Sequence, residues 1–200
     1  GTVEDRISGT SLDADARIDL SHYHQVAWRP IDGLSLVAGT RELYSLKHGF
    51  VFLYKGGFRW NFWKGLYVRA RVARNFRQPT MRELYLPYPV ANPGLKPEYS
   101  LTADGTAGYA SRHLDVSVTG FWTRAEDLIK YFGSWPAAEV VNIGHVVVWG
   151  VEGRVAVRDL GPFSGAVSGQ WQDVGRYTRQ NPSAKLDATL GLAHAFGPHR

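Results

Sequence analysis

Apolar and polar residues alternate with a period of two along most of this chain. In the first such segment Ile18, Leu20 and Val26 stand at even positions, whereas Arg17 and Asp19 stand at odd positions. Because successive side chains of a β-strand point to opposite faces, this alternation predicts strands that each have one apolar face. The pattern predicts nine strands, at 14–28, 34–41, 50–61, 66–72, 99–109, 114–122, 147–158, 163–172 and 186–196.

The connections between these predicted strands alternate between short and long. Short turns are expected at 30–33, 62–65, 111–113 and 159–162, and long links at 42–48, 76–98, 124–144 and 173–184. Strands of about ten residues, short turns at one rim, long loops at the other and aromatic residues near strand ends are typical of an outer-membrane barrel. We therefore expect an all-β fold, an antiparallel meander that forms part of a transmembrane β-barrel.

A water-soluble β-sandwich, such as a carbohydrate-binding or adhesive module, is the alternative interpretation. Its strands also alternate, because one face of each sheet packs on the core. The expected strands are longer than the usual five or six residues, however, and they would place Trp and Phe on a face that needs a partner sheet. The two interpretations differ in whether the apolar faces meet lipid or each other.

The link at 76–98 is the most distinctive segment. Prolines at 79, 87, 89, 93 and 97 remove backbone donors and fix φ, so neither a continuous strand nor a long helix passes through it. Thr80 and Glu83 form an S/T-x-x-E capping box, which predicts one helical turn. Leu84, Tyr85, Leu86 and Tyr88 then form either a small satellite core under the loop or a contact surface for a ligand.

Composition narrows the function classes. The chain has 200 residues and a net charge of +5, but its cations are spread one or two per strand, so no nucleic-acid surface is expected. The mean hydropathy of −0.24 does not oppose a barrel, because only one face of each strand is apolar. No apolar run is long enough for a membrane helix, and the absence of cysteine excludes disulfides.

The sequence contains no group of residues that suggests an enzyme active site. Glu126 and Asp127 are adjacent carboxylates, but no His, Ser or Cys partner has supporting spacing, so we expect no catalytic residues and no cofactor. His22 and His24 share a strand face, yet the sequence shows no third ligand beside them, and we expect no metal site. By phase, the face opposite the apolar one carries Arg59, Arg69, Arg71, Glu152, Arg154 and Arg158.

Four sequence boxes carry a resemblance to a known family. FRQPTMRELY, NPGLKPE, SVTGFWTRAEDLI and VNIGHVVVWGVEGRVAV, in this order and spacing, resemble the C-terminal part of the barrel of TonB-dependent outer-membrane receptors, which include cobalamin, haem and siderophore receptors. The residues that match the family's pattern, including its FRAP-x-x-x-ELY and NPxLKPE boxes, are Phe76, Arg77, Pro79, Glu83, Leu84, Tyr85, Asn92, Pro93, Leu95, Lys96, Pro97, Glu98, Asp127, Leu128, Ile129, Asn142, Gly150, Val151 and Glu152. Those to which the resemblance gives a structural role are Phe76, Pro79, Glu83, Asn92, Pro93, Pro97 and Glu98.

The resemblance implies active import across the outer membrane of a Gram-negative bacterium. In such receptors a scarce solute, such as a siderophore or cobalamin, binds outside, and TonB, powered by the proton gradient, displaces a plug from a barrel of about 22 strands. Residues 1–200 are then a barrel fragment without the plug and the final strand. The implied partners are outer-membrane lipid, the protein's own plug, TonB through a missing N-terminal region, and a small-molecule solute, but not nucleic acid.

The resemblance also implies which residues meet the solute. The long loops would lie at the extracellular rim, and the expected ligand contacts there are Arg77, Arg82, Tyr85, Tyr88, Tyr131, Phe132 and Trp135. The lumen arginines would guide an anionic solute or pair with plug carboxylates; we prefer pairing, because uncompensated buried charge is costly. Residues 78–91 contain no histidine, which argues against haem ligation there. The identity of the solute does not follow from these residues.

Overall fold

The computed structural model describes residues 2–9, 12–45, 47–85, 90–134, 137–160, 163–174 and 183–192. These residues form ten strands and one short helix. The elements are β1 (Thr2–Gly9), β2 (Leu12–Trp28), β3 (Leu34–Ser45), β4 (Gly49–Trp63), β5 (Leu66–Arg77), α1 (Met81–Tyr85), β6 (Glu98–Ala110), β7 (Leu114–Phe132), β8 (Glu139–Leu160), β9 (Phe163–Asp173) and β10 (Ser183–Leu192).

All ten strands belong to one antiparallel sheet. Its spatial order is β1 to β10, the same as the order in the chain, and each strand pairs with the next. Within the described part of the chain β1 and β10 do not pair with each other, so the sheet is an open segment of a barrel wall. The predicted all-β meander is confirmed, and β1 is a strand that the sequence pattern did not predict.

Two of the predicted long links are wrong. Strand β3 continues to Ser45 and β4 begins at Gly49, which leaves only 46–48 as a connection. Strand β7 continues to Phe132 and β8 begins at Glu139, so the second link shrinks to 133–138. The hydrogen-bonded ladder extends beyond the region of strict alternation, because near this rim the lumen face carries buried apolar residues such as Leu43 and Ile129, while the outer face carries Glu42 and Glu126.

The loop at 78–97 is much longer than the other connections within the described residues, and it stands at the same rim as 46–48 and 133–138. The opposite rim carries tight turns. In the turn between β4 and β5, Lys64 and Gly65 have φ values of 35° and 92°, as a two-residue hairpin turn requires. A Cβ on Gly65 would lie 2.4 Å from the Ala110 carbonyl oxygen. In outer-membrane barrels the rim with the long loops is the extracellular one, so the loop at 78–97 is expected on that side.

One face of the sheet, here called the outer face, is apolar and uncovered. Apart from Tyr44 and Phe62, which were predicted to lie in connections, its side chains are those that the alternation assigned to the apolar side, and they remain accessible in the fold. They include Leu20, Val26, Trp28, Tyr44, Phe50, Phe52, Tyr54, Phe58, Trp60, Phe62, Val72, Tyr109, Leu114, Val118, Trp149, Val151, Val155, Val167 and Trp171. No second sheet covers this face within the described residues, so the soluble sandwich is wrong. An apolar band of this kind faces hydrocarbon in a membrane barrel.

The other face, here called the lumen face, is polar or small-sided. Backbone pairing places Arg71 opposite Asp104, Arg69 opposite Thr106 and Thr106 opposite Thr119 on this face. The helix α1 is five residues long, and the described residues contain no helix with the length and hydropathy to cross a membrane.

The two faces should respond oppositely to charge. We expect Val118→Arg, on the outer face midway along the apolar stretch of β7, to lower the free energy of unfolding by roughly 2–4 kcal/mol, because it puts a cation in hydrocarbon. Thr119→Arg is the matched control: it lies one residue on, on the lumen face opposite Glu152. It gives up the 2.8 Å hydrogen bond between the Thr119 and Thr106 hydroxyls and should cost only about 1 kcal/mol.

The measurement is guanidinium unfolding of the gene product that carries this chain, reconstituted in lipid vesicles. Equal penalties for the two arginine variants would contradict the assignment of the faces.

Candidate functional site

The loop at 78–97 begins with the predicted capping box. The Thr80 backbone N–H donates to Glu83 Oε2 at 2.8 Å, and the Glu83 N–H donates in return to Thr80 Oγ1 at 3.2 Å. Two N–H groups that the first helical turn cannot satisfy internally are thereby paired. The capping box therefore fixes the start of α1, as the sequence predicted.

Arg77, the last residue of β5, clamps this helix to the sheet. Its Nη1 and Nη2 atoms donate to Glu83 Oε2 and Oε1 at 3.1 and 3.0 Å, and its Nε donates to Glu98 Oε2 at 3.2 Å. Glu83 is only 7% exposed, so this is a bidentate, charge-assisted pair with little access to water on the carboxylate side. One guanidinium thus ties the end of β5, helix α1 and the start of β6 together.

A small apolar core lies beneath the loop. Leu84 and Leu95 from the loop pack with Ile129 of β7 and Val140 of β8, and all four are buried. Tyr85 and Val90 pack against this cluster and are partly buried. The loop therefore folds inward onto the lumen face of β7 and β8. Of the two interpretations of its apolar residues, the satellite core accounts for Leu84 and Tyr85.

Side-chain amides and a carboxylate fasten the rest of the loop to the sheet. The Asn92 amide donates to the Val140 carbonyl oxygen at 2.9 Å. Asn142 accepts from the Lys96 N–H at 2.8 Å and donates to the Lys96 and Asp127 carbonyl oxygens at 2.9 and 2.6 Å. Glu98 Oε1 accepts from the Ile129 N–H at 2.7 Å. These bonds satisfy backbone groups that the prolines and turns leave outside the ladder.

Contacts also reach from the loop toward the first strands of the sheet. Lys47 Nζ donates to the Tyr85 hydroxyl at 2.7 Å and lies 4.9 Å from the centre of its ring. Gln78 Nε2 donates to Asp19 Oδ1 at 3.2 Å. The loop therefore contacts β2 and the β3–β4 connection as well as β7 and β8. Of the residues that fasten it, Lys47 and Val140 were missing from the expected site, whereas Leu95, Ile129 and Asn142 were matched only as members of the family boxes.

The lumen wall on β4 to β6 is rich in arginine. Arg71 forms an ion pair with Asp104, and Arg69 Nε donates to Thr106 Oγ1 at 3.0 Å. The Arg59 guanidinium lies 4.1 Å from the centre of the Tyr67 ring and stands opposite Arg69 across the strand pair. Like charges that face each other in this way are unfavourable without an anionic neighbour.

On β7 and β8 the lumen wall carries both cations and carboxylates. Arg158 Nη2 donates to Asp115 Oδ2 at 3.2 Å. Arg154 stands opposite Ser117, next along the lumen face from Glu152. All six expected lumen residues thus share the face opposite the apolar band, while their roles toward a solute or a plug stay predictions.

The expected ligand contacts lie in different surroundings. Arg82 is exposed on α1, and Tyr131 is 43% exposed on the lumen face near the long-loop rim. Phe132 is turned to the outer face, where Lys130 Nζ lies 5.6 Å from its ring centre. Arg77 and Tyr85 are engaged in the clamp and in the packing of the loop. Tyr88 and Trp135 lie outside the described residues. The role of all seven in ligand binding stays a prediction.

The two histidines lie on the outer face of β2. Their ring centres are 4.2 Å apart, and His24 Nε2 lies 3.9 Å from Glu42 Oε2, a neighbour that only the strand pairing reveals. No group of three or more His, Cys, Asp or Glu side chains suited to a metal ion occurs among the described residues.

The clamp gives a prediction. Glu83→Gln removes the carboxylate that Arg77 and Thr80 share, and we expect the loop's local opening to become easier by roughly 1–3 kcal/mol. Hydrogen exchange of the Leu84 and Asn92 amides, which are bonded to the Thr80 and Glu83 carbonyl oxygens, measures this. Glu126→Gln, which breaks the exposed pair with Arg124, is the control and should change protection by less than about 1 kcal/mol. Equal protection in both variants would contradict the clamp.

Both the sequence and the fold of this chain are similar to those of known barrel proteins. Residues 5–194 match the family model described as TonB dependent receptor-like, beta-barrel. The siderophore receptor PirA from Pseudomonas aeruginosa is similar in structure with a TM-score of 0.76 and 20% identity, over 88% of this chain and 34% of PirA. A variant of the ferric enterobactin receptor PfeA from Pseudomonas aeruginosa, in complex with enterobactin, has a TM-score of 0.76 and 15% identity, over 92% of this chain and 32% of PfeA.

The copper transporter OprC is a further match, with a TM-score of 0.62 and 16% identity, over 81% of this chain and 29% of OprC. The chain thus spans about a third of the length of these solved proteins, and at such identities the likeness shows the fold alone. Barrels of this family lie in the outer membrane of Gram-negative bacteria. Because the family model covers nearly the whole sequence, this chain belongs to the TonB-dependent receptor β-barrel family, of which it forms part of the barrel wall.

Proposed function

We propose that the gene product carrying this chain is an outer-membrane receptor that imports a scarce solute with energy supplied through TonB. Family membership supports this over an enzymatic role, since the family consists of receptors and transporters. The observation that carries the proposal is the loop at 78–97, which is fastened into the mouth of a polar lumen by Arg77, Asn92 and Asn142. A rigid structure at the extracellular mouth suits the capture of a large solute.

The solute class that fits best is an anionic metal chelate of the siderophore type. On the lumen face of β3 to β6, cations outnumber carboxylates. The cations are Arg41, Lys55, Arg59, Arg69 and Arg71, and Asp104 is the carboxylate that lies among them. A channel lined by one sign of charge focuses its field and raises the local concentration of the opposite charge. The names of PirA and PfeA, a siderophore receptor and a ferric enterobactin receptor, agree with this class.

The same cations have a second role in the proposal. A plug that fills the barrel would bring carboxylates against Arg59 and Arg69, which otherwise face each other. Pairing with the plug therefore accounts for the resting state, and attraction of the anionic solute operates at the mouth, above the plug. Both roles rest on the charge of the wall rather than on a particular hydrogen bond.

Uptake in whole cells tests the import function. A host that lacks its own siderophore receptors and expresses the gene product should accumulate radiolabelled iron from ferric enterobactin or a related chelate. Deleting TonB or adding a protonophore should abolish accumulation but leave surface binding intact. Accumulation that persists without TonB would indicate a passive pore. Failure to bind any of a panel of ferric siderophores, with cobalamin as the neutral comparison, would overturn the solute class.

Adjacent residues at the end of β7 test the contact surface. We expect Tyr131→Ala, on the lumen face, to weaken solute binding by about 5- to 30-fold, the size typical for loss of an aromatic contact worth roughly 1–2 kcal/mol. Lys130→Ala is the matched control, because its side chain lies on the outer face over the Phe132 ring, and it should change the affinity less than about twofold. Equal loss in both variants would contradict the lumen approach. The dissociation constant of the labelled chelate is the measurement.

A further inference from the structure

An open apolar groove runs across the outer face from β4 to β8. It has a volume of about 870 Å³, and its walls include Phe58, Trp122 and Trp149. Its floor consists of the small outer-face residues Gly56, Ala70, Ala103, Gly105 and Gly120. A Cβ built on Gly105 or Gly120 would meet no atom within 4 Å, so the floor is recessed and unobstructed.

Two arginines lie in one row across the strands, where this groove approaches the long-loop rim. Backbone pairing places Arg74 of β5 opposite Leu101 of β6, and Leu101 opposite Arg124 of β7. The two arginines are two strand spacings apart, which corresponds to about 10 Å between their Cα atoms. Their row lies four residues beyond the row formed by Ala70, Gly105 and Gly120, about 13 Å along the strands.

Each of the two guanidinium groups has a protein neighbour, but that neighbour engages only part of it. Arg124 Nη2 lies 2.9 Å from Glu126 Oε1, and its side chain remains 51% exposed. The Arg74 guanidinium lies 5.2 Å from the centre of the Tyr99 ring. Each guanidinium has five N–H groups in a fork that matches phosphate oxygens, so one ion pair does not exhaust it. In the next row the outer face carries aromatic and charged side chains together, Phe76 and Tyr99 beside Glu126 and His145, as in the aromatic girdle that borders the apolar band of a membrane barrel.

We propose that the groove and the two arginines form a binding site for one phosphate-bearing lipid of the outer leaflet. An acyl chain lies in the groove between Phe58 and Trp122, and the lipid phosphate accepts hydrogen bonds from Arg74 and Arg124. Three features select this occupant: the apolar floor, the cations at one end of it, and the position of that end at the extracellular rim. The proposal concerns the membrane-facing side and does not depend on the imported solute.

The proposed lipid matches this site in both charge and shape. A cation inside the hydrocarbon layer is costly, but at the level of lipid phosphates it is stabilised by the headgroup charge. The step from Val72 and Trp122 to Arg74 and Arg124 therefore marks the headgroup boundary on these strands. Without Cβ atoms at Gly105 and Gly120, the barrel surface is indented directly below it. A lipid that fills the indentation buries apolar surface on both sides.

Native mass spectrometry of the gene product, extracted from outer membranes in mild detergent, tests the site. The wild-type protein should retain one phosphorylated lipid per molecule. Gly120→Leu, which fills the groove, and the double variant Arg74→Gln with Arg124→Gln, which removes the charge, should each lower retention at least fivefold. The controls are Gly153→Leu, at an outer-face glycine whose Cβ position is also open, and Lys130→Gln, at another outer-face cation. Both controls should retain the lipid, and far-UV circular dichroism checks folding.

Titration of the delipidated protein distinguishes the possible sources of phosphate. Mixed micelles containing phosphatidylglycerol should bind in a manner that depends on both arginines and on Gly120. Inorganic phosphate alone and uncharged diacylglycerol should each bind at least tenfold more weakly. Equal retention by the groove variant and its control would overturn the proposal, as would equal binding of inorganic phosphate or of diacylglycerol.

Discussion

The structure depends on one constraint: in hydrocarbon, each backbone N–H and C=O must be paired inside the protein. A continuous antiparallel ladder meets this demand, and ten strands paired in chain order provide one. Because the ladder fixes the direction of each side chain, apolar residues fall on one face and polar residues on the other. Val118 and Thr119 are neighbours in sequence, yet the ladder sends one toward lipid and the other toward Glu152 in the lumen.

The same constraint explains how the irregular loop is tolerated. Prolines interrupt any ladder between β5 and β6, so the loop's backbone groups need partners elsewhere. Asn142 of β8 pairs two of them, the Lys96 N–H and the Lys96 carbonyl oxygen. In the opposite direction, the side chains of Asn92 and Glu98 bond the Val140 carbonyl oxygen and the Ile129 N–H of the sheet. Arg77 adds a bidentate pair with a nearly buried carboxylate. The loop thus replaces strand pairing with side-chain hydrogen bonds, and it does so inside the lumen, where polar groups are compatible with their surroundings.

Sequence predicted most of the wall because the wall obeys a local rule. Alternation gave nine of the ten strands and their outer faces, and the capping box gave the start of α1. The errors occur where the rule does not apply: near Ser45 and Phe132 the lumen face carries buried apolar residues such as Leu43 and Ile129, so alternation no longer marks the strands. The fastening by Asn142 was not predictable, since it requires the register of β7 with β8 and the path of the loop. The family resemblance identified the loop boxes but not their partners.

The distribution of these bonds bears on where specificity resides. A side chain whose donors and acceptors are already engaged within the protein gains little by meeting a solute, because each new bond replaces an existing one. Arg77, Glu83, Asn92 and Asn142 are in this position, so their chemistry goes into holding the loop in place. Arg82 and Tyr131 are accessible at the same rim. In the proposed import function, selectivity toward the solute is therefore assigned to side chains of the second kind, which the first kind hold in position.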